Sequence, residues 1–253
     1  MLHDQRLGKR AFPAARVFIL TVGLTAVAAC VAAPSAIAAD QKAGNSAVVP
    51  APREGGWMER HERFLERAKQ GHIDVLFLGD SITEGWHNNE VWKAHYEPLH
   101  AANFGIGGDR TQHVLWRLEH GEIDGISPKV VALMIGTNNS RDNSADEIAA
   151  GITTIVKTLR GKLPKTKVLL LAVFPRGEKP NPTREKLAAV NSAIAKLHDG
   201  KTVRYLDIGP RFLGPDGTIS KDIMPDFLHL SVGGYQIWAD AIQPTLHEML
   251  GKS

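Results

Sequence analysis

The 253-residue chain has one cysteine, Cys30. A single thiol excludes a disulfide framework and a thiolate zinc site, and none of the chain after residue 39 can supply a cysteine nucleophile. The nucleophile elbow G-x-S-x-G is missing. So is G-x-G-x-x-G: the stretch Gly105-Ile106-Gly107-Gly108-Asp109-Arg110 comes near it, but Arg110 stands in the last position, which removes support for a dinucleotide fingerprint. There is no H-E-x-x-H among the 11 histidines, and His87, His95, His100, His113 and His120 show no convincing ligand spacing. No catalytic metal and no cofactor are therefore expected. Charge of one sign is lacking too. The formal charge is +3, but residues 1–39 hold four bases and one acid, so it falls to 0 without them. Nothing in that balance calls for nucleic acid or an anionic surface.

Residues 1–39 read as an export signal. Arg6, Lys9, Arg10 and Arg16 lead into an uncharged stretch from Val17 to about Ala33, and Ala36-Ile37-Ala38 gives an A-x-A pattern before Asp40. A membrane anchor would need a longer uncharged run. The expected destination is periplasmic or secreted. Val27-Ala28-Ala29-Cys30 also resembles a bacterial lipoprotein processing site, and its use would leave a chain lipid-anchored through Cys30. Residues 40–55, rich in Ala, Pro and Gly without periodicity, read as a linker. The domain is expected over 56–253.

Within it, apolar runs alternate with helical patterns. Ile73–Leu78, Val130–Ile135 and Val168–Val173 are short apolar runs, and Ala101–Phe104 and Val203–Ile208 are weaker ones. Helical spacing covers Trp57–Gln70 and roughly Asn89–Tyr96, Thr111–His120, Ala145–Arg160, Arg184–Leu197 and Ser231–Leu250. Pro244 should kink or split the last of these. Strands alternating with helices predict an α/β fold: a five-stranded parallel sheet in a three-layer α/β/α sandwich.

Four polar islands interrupt this pattern: Gly79-Asp80-Ser81, Gly105–Asp109, Gly136-Thr137-Asn138-Asn139 and Asp226-Phe227-Leu228-His229. The first three each follow a predicted strand, so they fall on the carboxyl rim of the sheet, where open parallel sheets bind ligands. Ser81 offers a nucleophile, although Ser81-Ile82-Thr83-Glu84 is also a capping box. Gly107 and Gly108 offer a turn, or a backbone N–H brought close to a ligand. Asn138 offers a structural turn or a neutral oxyanion donor. Asp226 and His229, three apart, offer a surface pair or a carboxylate that orients a base. Trp86, Trp92, Trp116 and Trp238 suit a core or a sugar platform.

Together the islands resemble the SGNH/GDSL hydrolase superfamily, whose name records a Ser, Gly, Asn and His in four blocks. The stretch Asn103–Leu118, Pro175-Arg176-Gly177, Asn181-Pro182-x-Arg184-Glu185-Lys186 and Asp216–Ser220 look like the catalytic subunits of platelet-activating factor acetylhydrolase type I. The resemblance runs from about Ile73 to Leu250. It implies a flavodoxin-like fold and a serine esterase acting on short-chain, mainly acetyl, esters. It implies a triad of Ser81, Asp226 and His229, with an oxyanion hole from the Ser81 amide, the Gly108 amide and the Asn138 side chain. Those subunits are intracellular and several form dimers, so the export signal is a departure. It turns the expected substrate toward acetylated glycan or xenobiotic esters, with a homodimer as a possible assembly. Alternatives are an O-acetyltransferase acting on cell-surface glycan, a lysophospholipase or thioesterase, and an inactive glycan-binding module.

Overall fold

A computed structural model of the protein describes residues 44–87 and 89–252. The expected export signal at 1–39, with Cys30, lies outside these residues, as do the first residues of the 40–55 stretch.

Five strands form the sheet: β1 (Val75–Gly79), β2 (Ala101–Gly105), β3 (Val130–Met134), β4 (Lys167–Leu171) and β5 (Val203–Leu206). Their order is β2-β1-β3-β4-β5, and every neighbouring pair is parallel. This is the expected α/β/α architecture. Chain direction across the sheet reverses between β1 and β3, the topological switch point at which such sheets open a crevice.

Alternating side chains sort into two cores. Leu76, Leu78, Val131 and Leu133 join one apolar cluster with α1 (Gly56–Lys69), α4 (Thr111–Glu119), α5 (Ala145–Lys162) and α6 (Pro182–Ile194). Val75, Phe77, Ala132 and Met134 join the other with α2 (Ser81–Glu84), α3 (Glu90–His95) and α7 (Val232–Leu250). Because both faces are covered, the strands read as apolar runs rather than as alternations. Full burial of each such side chain contributes roughly 1.5–3 kcal/mol.

The helix starts follow capping chemistry. Ser144 caps α5 through Glu147 N, with Glu147 returning the bond to Ser144 N. Asn181 and Ser231 cap α6 and α7. The last helix is not split: Pro244 lies inside the continuous span Val232–Leu250.

The linker expectation is corrected from residue 44 onward. Residues 46–48 form a 3-10 turn, and Ala47 is fully buried. Thr111 Oγ1 donates to Ala47 O (2.8 Å), Asn143 Nδ2 to Ser46 Oγ (3.0 Å) and Ala51 N to Gln112 O (3.2 Å). Composition suggested a tether, but these polar groups have partners on α4 and in the turn before α5, and the segment is a packed strap.

Candidate active site

The strand ends deliver the islands to one rim. Ser81 follows β1, Gly107 and Gly108 follow β2, and Asn138 follows β3. The capping box expected at Ser81 is also corrected. Asp80 is the N-cap of α2, and its Oδ1 accepts from Ile82 N (3.0 Å). Ser81 becomes the first helical residue, so its own N–H has no carbonyl to meet within the helix and its hydroxyl is not spent on capping. Glu84 does not reach back to Ser81 either. Its Oε2 accepts from Gly107 N (2.6 Å), and its Oε1 pairs with Arg60.

Such closeness needs glycine. A β-carbon on Gly105 would lie 2.3 Å from Glu84 N, so only hydrogen there lets α2 settle against the end of β2. One on Gly107 would lie 3.8 Å from Ser81 Cβ, which puts the glycine loop against the Ser81 side chain.

His229 arrives from the turn before α7. Ser81 Oγ is 2.9 Å from His229 Nε2, and His229 Nδ1 is 2.6 Å from Asp226 Oδ2. The two carboxylate oxygens divide the work. Oδ1 accepts from Leu228 N (3.0 Å) and His229 N (2.7 Å), closing the turn, while Oδ2 holds the ring. Between them Phe227 adopts φ +60°, a left-handed conformation that a bulky residue holds only under constraint. Gly177 N donates to Phe227 O (2.7 Å) and supplies part of it. Burial by itself would raise the Asp226 carboxyl, but the bonds from the His229 ring and from the His229 and Leu228 amides outweigh it and hold the group below the usual range. An ionised carboxylate only accepts, so Nδ1 carries the imidazole proton and Nε2 faces Ser81 as acceptor.

The two asparagines after β3 divide in the same way. Asn139 is fully buried and structural. Its Oδ1 accepts from Thr111 N (3.0 Å), and its Nδ2 donates to Gln112 Oε1 and Asn143 Oδ1 (both 3.0 Å). Asn138 is half-buried, and its Nδ2 donates to Asp109 O (2.9 Å). A primary amide has two protons, so this bond fixes the group and leaves one to offer.

Several contributors were not foreseen from sequence. Asp109, Arg117 and Glu122 have fully buried side chains. Arg117 Nη2 lies 3.0 Å from Asp109 Oδ2, and Arg117 Nη1 lies 2.6 Å from Glu122 Oε1. Burial works against the Arg117 charge, yet Glu122 and Asp109 more than offset it and hold the guanidinium charged. Arg117 also donates to Phe104 O (3.0 Å) and Gly79 O (3.3 Å), joining the ends of β1 and β2. Trp57 Nε1 donates to Asp109 Oδ1 (2.7 Å). Arg117 lies within the Asn103–Leu118 stretch; an arginine on the apolar side of an amphipathic helix was the available signal. Asp80 is wholly buried, and its Oδ2 has no hydrogen-bond partner among the described residues. Burial pushes this carboxyl up to about 7, despite the bond from Ile82 N.

The tryptophans all pack against the two cores. Trp86 and Trp238 are core, while Trp92 and Trp116 are half-buried. Among the described residues no group of three His, Asp or Glu side chains is placed to hold a metal ion.

Residues 77–237 match the model of the GDSL-like lipase/acylhydrolase family. The chain is 47% identical over 195 residues to platelet-activating factor acetylhydrolase IB subunit alpha2 of Rattus norvegicus, covering 77% of this chain and 83% of that protein. Among solved structures, a GDSL-like lipase from Bacteroides thetaiotaomicron superposes with a TM-score of 0.62 at 19% identity, covering 74% of this chain and 97% of the other. A catalytic mutant of an acetylxylan esterase from Geobacillus stearothermophilus gives 0.54 at 21%, covering 71% and 94%. At these identities the two structures establish the shared fold alone.

Proposed function

The chain belongs to the GDSL-like lipase/acylhydrolase family, and from that premise we propose that it is a serine esterase that hydrolyses short-chain, mainly acetyl, carboxylic esters through an acyl-enzyme. The observation that carries this reading is the unbroken relay from Ser81 Oγ to His229 Nε2 (2.9 Å) and from His229 Nδ1 to Asp226 Oδ2 (2.6 Å).

In the first half-reaction Ser81 Oγ attacks the ester carbonyl as its proton passes to His229 Nε2. The carbonyl oxygen becomes an oxyanion facing the Ser81 N–H, the Gly108 N–H and the second Asn138 amide proton. Gly107 cannot share this duty, because Glu84 holds its N–H. The tetrahedral intermediate collapses, the C–O bond to the alcohol breaks, and the imidazolium proton goes to the leaving alkoxide. In the second half-reaction water gives a proton to the same nitrogen and attacks the acyl carbon. Collapse returns that proton to Ser81 and releases the carboxylic acid. Asp226 stays ionised throughout and stabilises the imidazolium.

The acetyl preference draws on two supports. The rat relative is named an acetylhydrolase and the Geobacillus neighbour an acetylxylan esterase. The dyad is also open, with the His229 side chain 45% and that of Asp226 55% exposed. A longer acyl chain gains about 0.8 kcal/mol per methylene only where protein covers it. Export through residues 1–39 belongs to the same proposal and would bring acetylated glycan within reach; cell fractionation tests it.

Turnover of p-nitrophenyl acetate and octanoate on one panel checks the acyl preference, with acetate expected to win. Asn138→Ala should lower kcat by about 10²–10³-fold while leaving the protein folded. Faster turnover of octanoate would move the assignment to a lipase. A wild-type rate in Ser81→Ala would remove the nucleophile.

A further inference from the structure

The loop that carries Gly108 is gripped from both sides. The inner grip is the buried Asp109–Arg117 pair. The outer grip comes from the strap ahead of the first helix. Arg53 Nη1 donates to Gly107 O (2.7 Å) and to Asp109 Oδ1 (3.1 Å), the residues on either side of Gly108. Its guanidinium lies over the face of Gly108 where a side chain would begin. A β-carbon built there would meet Nη2 at 3.2 Å and Nη1 at 3.3 Å. Gly108 has φ +76°, so the backbone needs glycine here, and a β-carbon would also press on the cation above it.

We propose that Arg53 is a positioning residue that aims and polarises the Gly108 N–H; this rests on the reading of Gly108 as an oxyanion donor. The reason is the planarity of the peptide unit. Gly107 C=O and Gly108 N–H belong to one plane and point in opposite directions. A hydrogen bond that fixes the carbonyl therefore fixes the N–H. Because the donor to the carbonyl is a cation, the bond is also stronger than a neutral one and draws electron density through the amide. The N–H on the far side becomes a better donor just where the oxyanion forms.

The other bonds around the loop complete this control without duplicating it. Glu84 holds Gly107 N, Ile106 O accepts from Asp109 N (3.1 Å), and Asp109 O accepts from Asn138. None of these touches the carbonyl that shares its plane with the Gly108 N–H. The strap that bears Arg53 is itself fastened to Thr111 and Gln112, just past the loop. The Arg53 side chain is 36% exposed, so its loss opens no hole in the core, and Asp109 keeps Arg117 and Trp57 as partners.

The test compares wild type, Arg53→Ala, Arg53→Lys and Trp57→Phe on p-nitrophenyl acetate, with melting temperature recorded for each. Arg53→Ala should lower kcat by about 10- to 100-fold, the scale of a small misplacement of a catalytic group, with KM and melting temperature held. Millimolar guanidinium should restore part of that rate. Arg53→Lys keeps the charge but not the fork, and should fall between. In the full-length protein labelled with nitrogen-15, the Gly108 amide resonance should move in Arg53→Ala. Trp57→Phe removes a bond to Asp109 but none to Gly107, and should cost far less. An active wild type with Arg53→Ala within twofold of it would overturn this inference alone. Equal losses in Arg53→Ala and Trp57→Phe would also overturn it, by assigning the effect to Asp109. A wild-type protein that turns over no ester would sink the hydrolase reading and this one with it.

Discussion

The two halves of the catalytic rim are built on opposite plans. The half that carries His229, the proposed base, is local and wet. Asp226 and His229 lie three residues apart, make most of their bonds to each other and to their own turn, and stay about half-exposed. The half that carries Gly108, the proposed oxyanion donor, is long-range and dry. Gly108 is steadied by Arg53, Trp57 and Arg117, the last with its charge wholly buried. The local half can change without disturbing the fold. The dry half cannot at its centre, where Arg117, Asp109 and Glu122 answer for one another's burial; only Arg53, at its solvent edge, is spared that constraint.

The sharpest test of that contrast removes the base. His229→Ala should cut turnover on the order of 10⁴-fold or more and leave the melting temperature unchanged, because a half-exposed ring carries little of the core. A drop of several degrees would show that the wet half is structural after all. Arg117→Met should do the reverse. It leaves Glu122 buried without its arginine and Asp109 with only the half-exposed Arg53, at a cost of about 3–5 kcal/mol in urea unfolding. A loss under about 1 kcal/mol would mean that the carboxylates neutralise or rehydrate, and the dry half would need another account.

The smallest effect concerns Asp80, which caps the nucleophile's helix. Its carboxyl is pushed from the ordinary 3.8 up to about 7 by burial, so the folded state disfavours the ionised form. Stability should therefore decline as pH rises from the carboxylate range through about 7. Asp80→Asn keeps an acceptor for Ile82 N and does not ionise. Its melting temperature relative to wild type should be higher at pH 8.5 than at pH 5.5. A gap of the same size at both would assign the alkaline decline to another group.

The same division decides what could be read from the sequence. Strands, helices and the four islands were legible because each is a short-range pattern: apolar runs for a sheet covered on both faces, helical spacing over Ala145–Arg160, Asp226 three residues ahead of His229. Convergence at the rim followed from where each island lay past its strand, whereas the order β2-β1-β3-β4-β5 had no such signal, because alternation sets parallel pairing and not which strands are neighbours. Asp109, Arg117 and Glu122 were not legible, because charge reads as surface until the structure shows it sealed between β1, β2 and α4. The strap failed for a related reason. Ala, Pro and Gly look like a tether, and only the partners of Ala47, Ala51 and Arg53, all more than 50 residues downstream, reveal a packed segment. At Ser81 a one-residue shift of the cap, from serine to Asp80, separated the structural duty from the chemical one.

Tyr235 Oη donates to Ile82 O (2.8 Å), and its ring lies 4.4 Å from that of Trp86, so the helix that follows the base leans directly on the helix that carries the nucleophile. The gap between Ser81 Oγ and the imidazole thus depends on the tilt of one helix on the other, both on the same face of the sheet. On gentle warming the enzyme should fall silent while its strands are still intact, and agents that wedge those two helices apart would act as inhibitors without ever entering the rim.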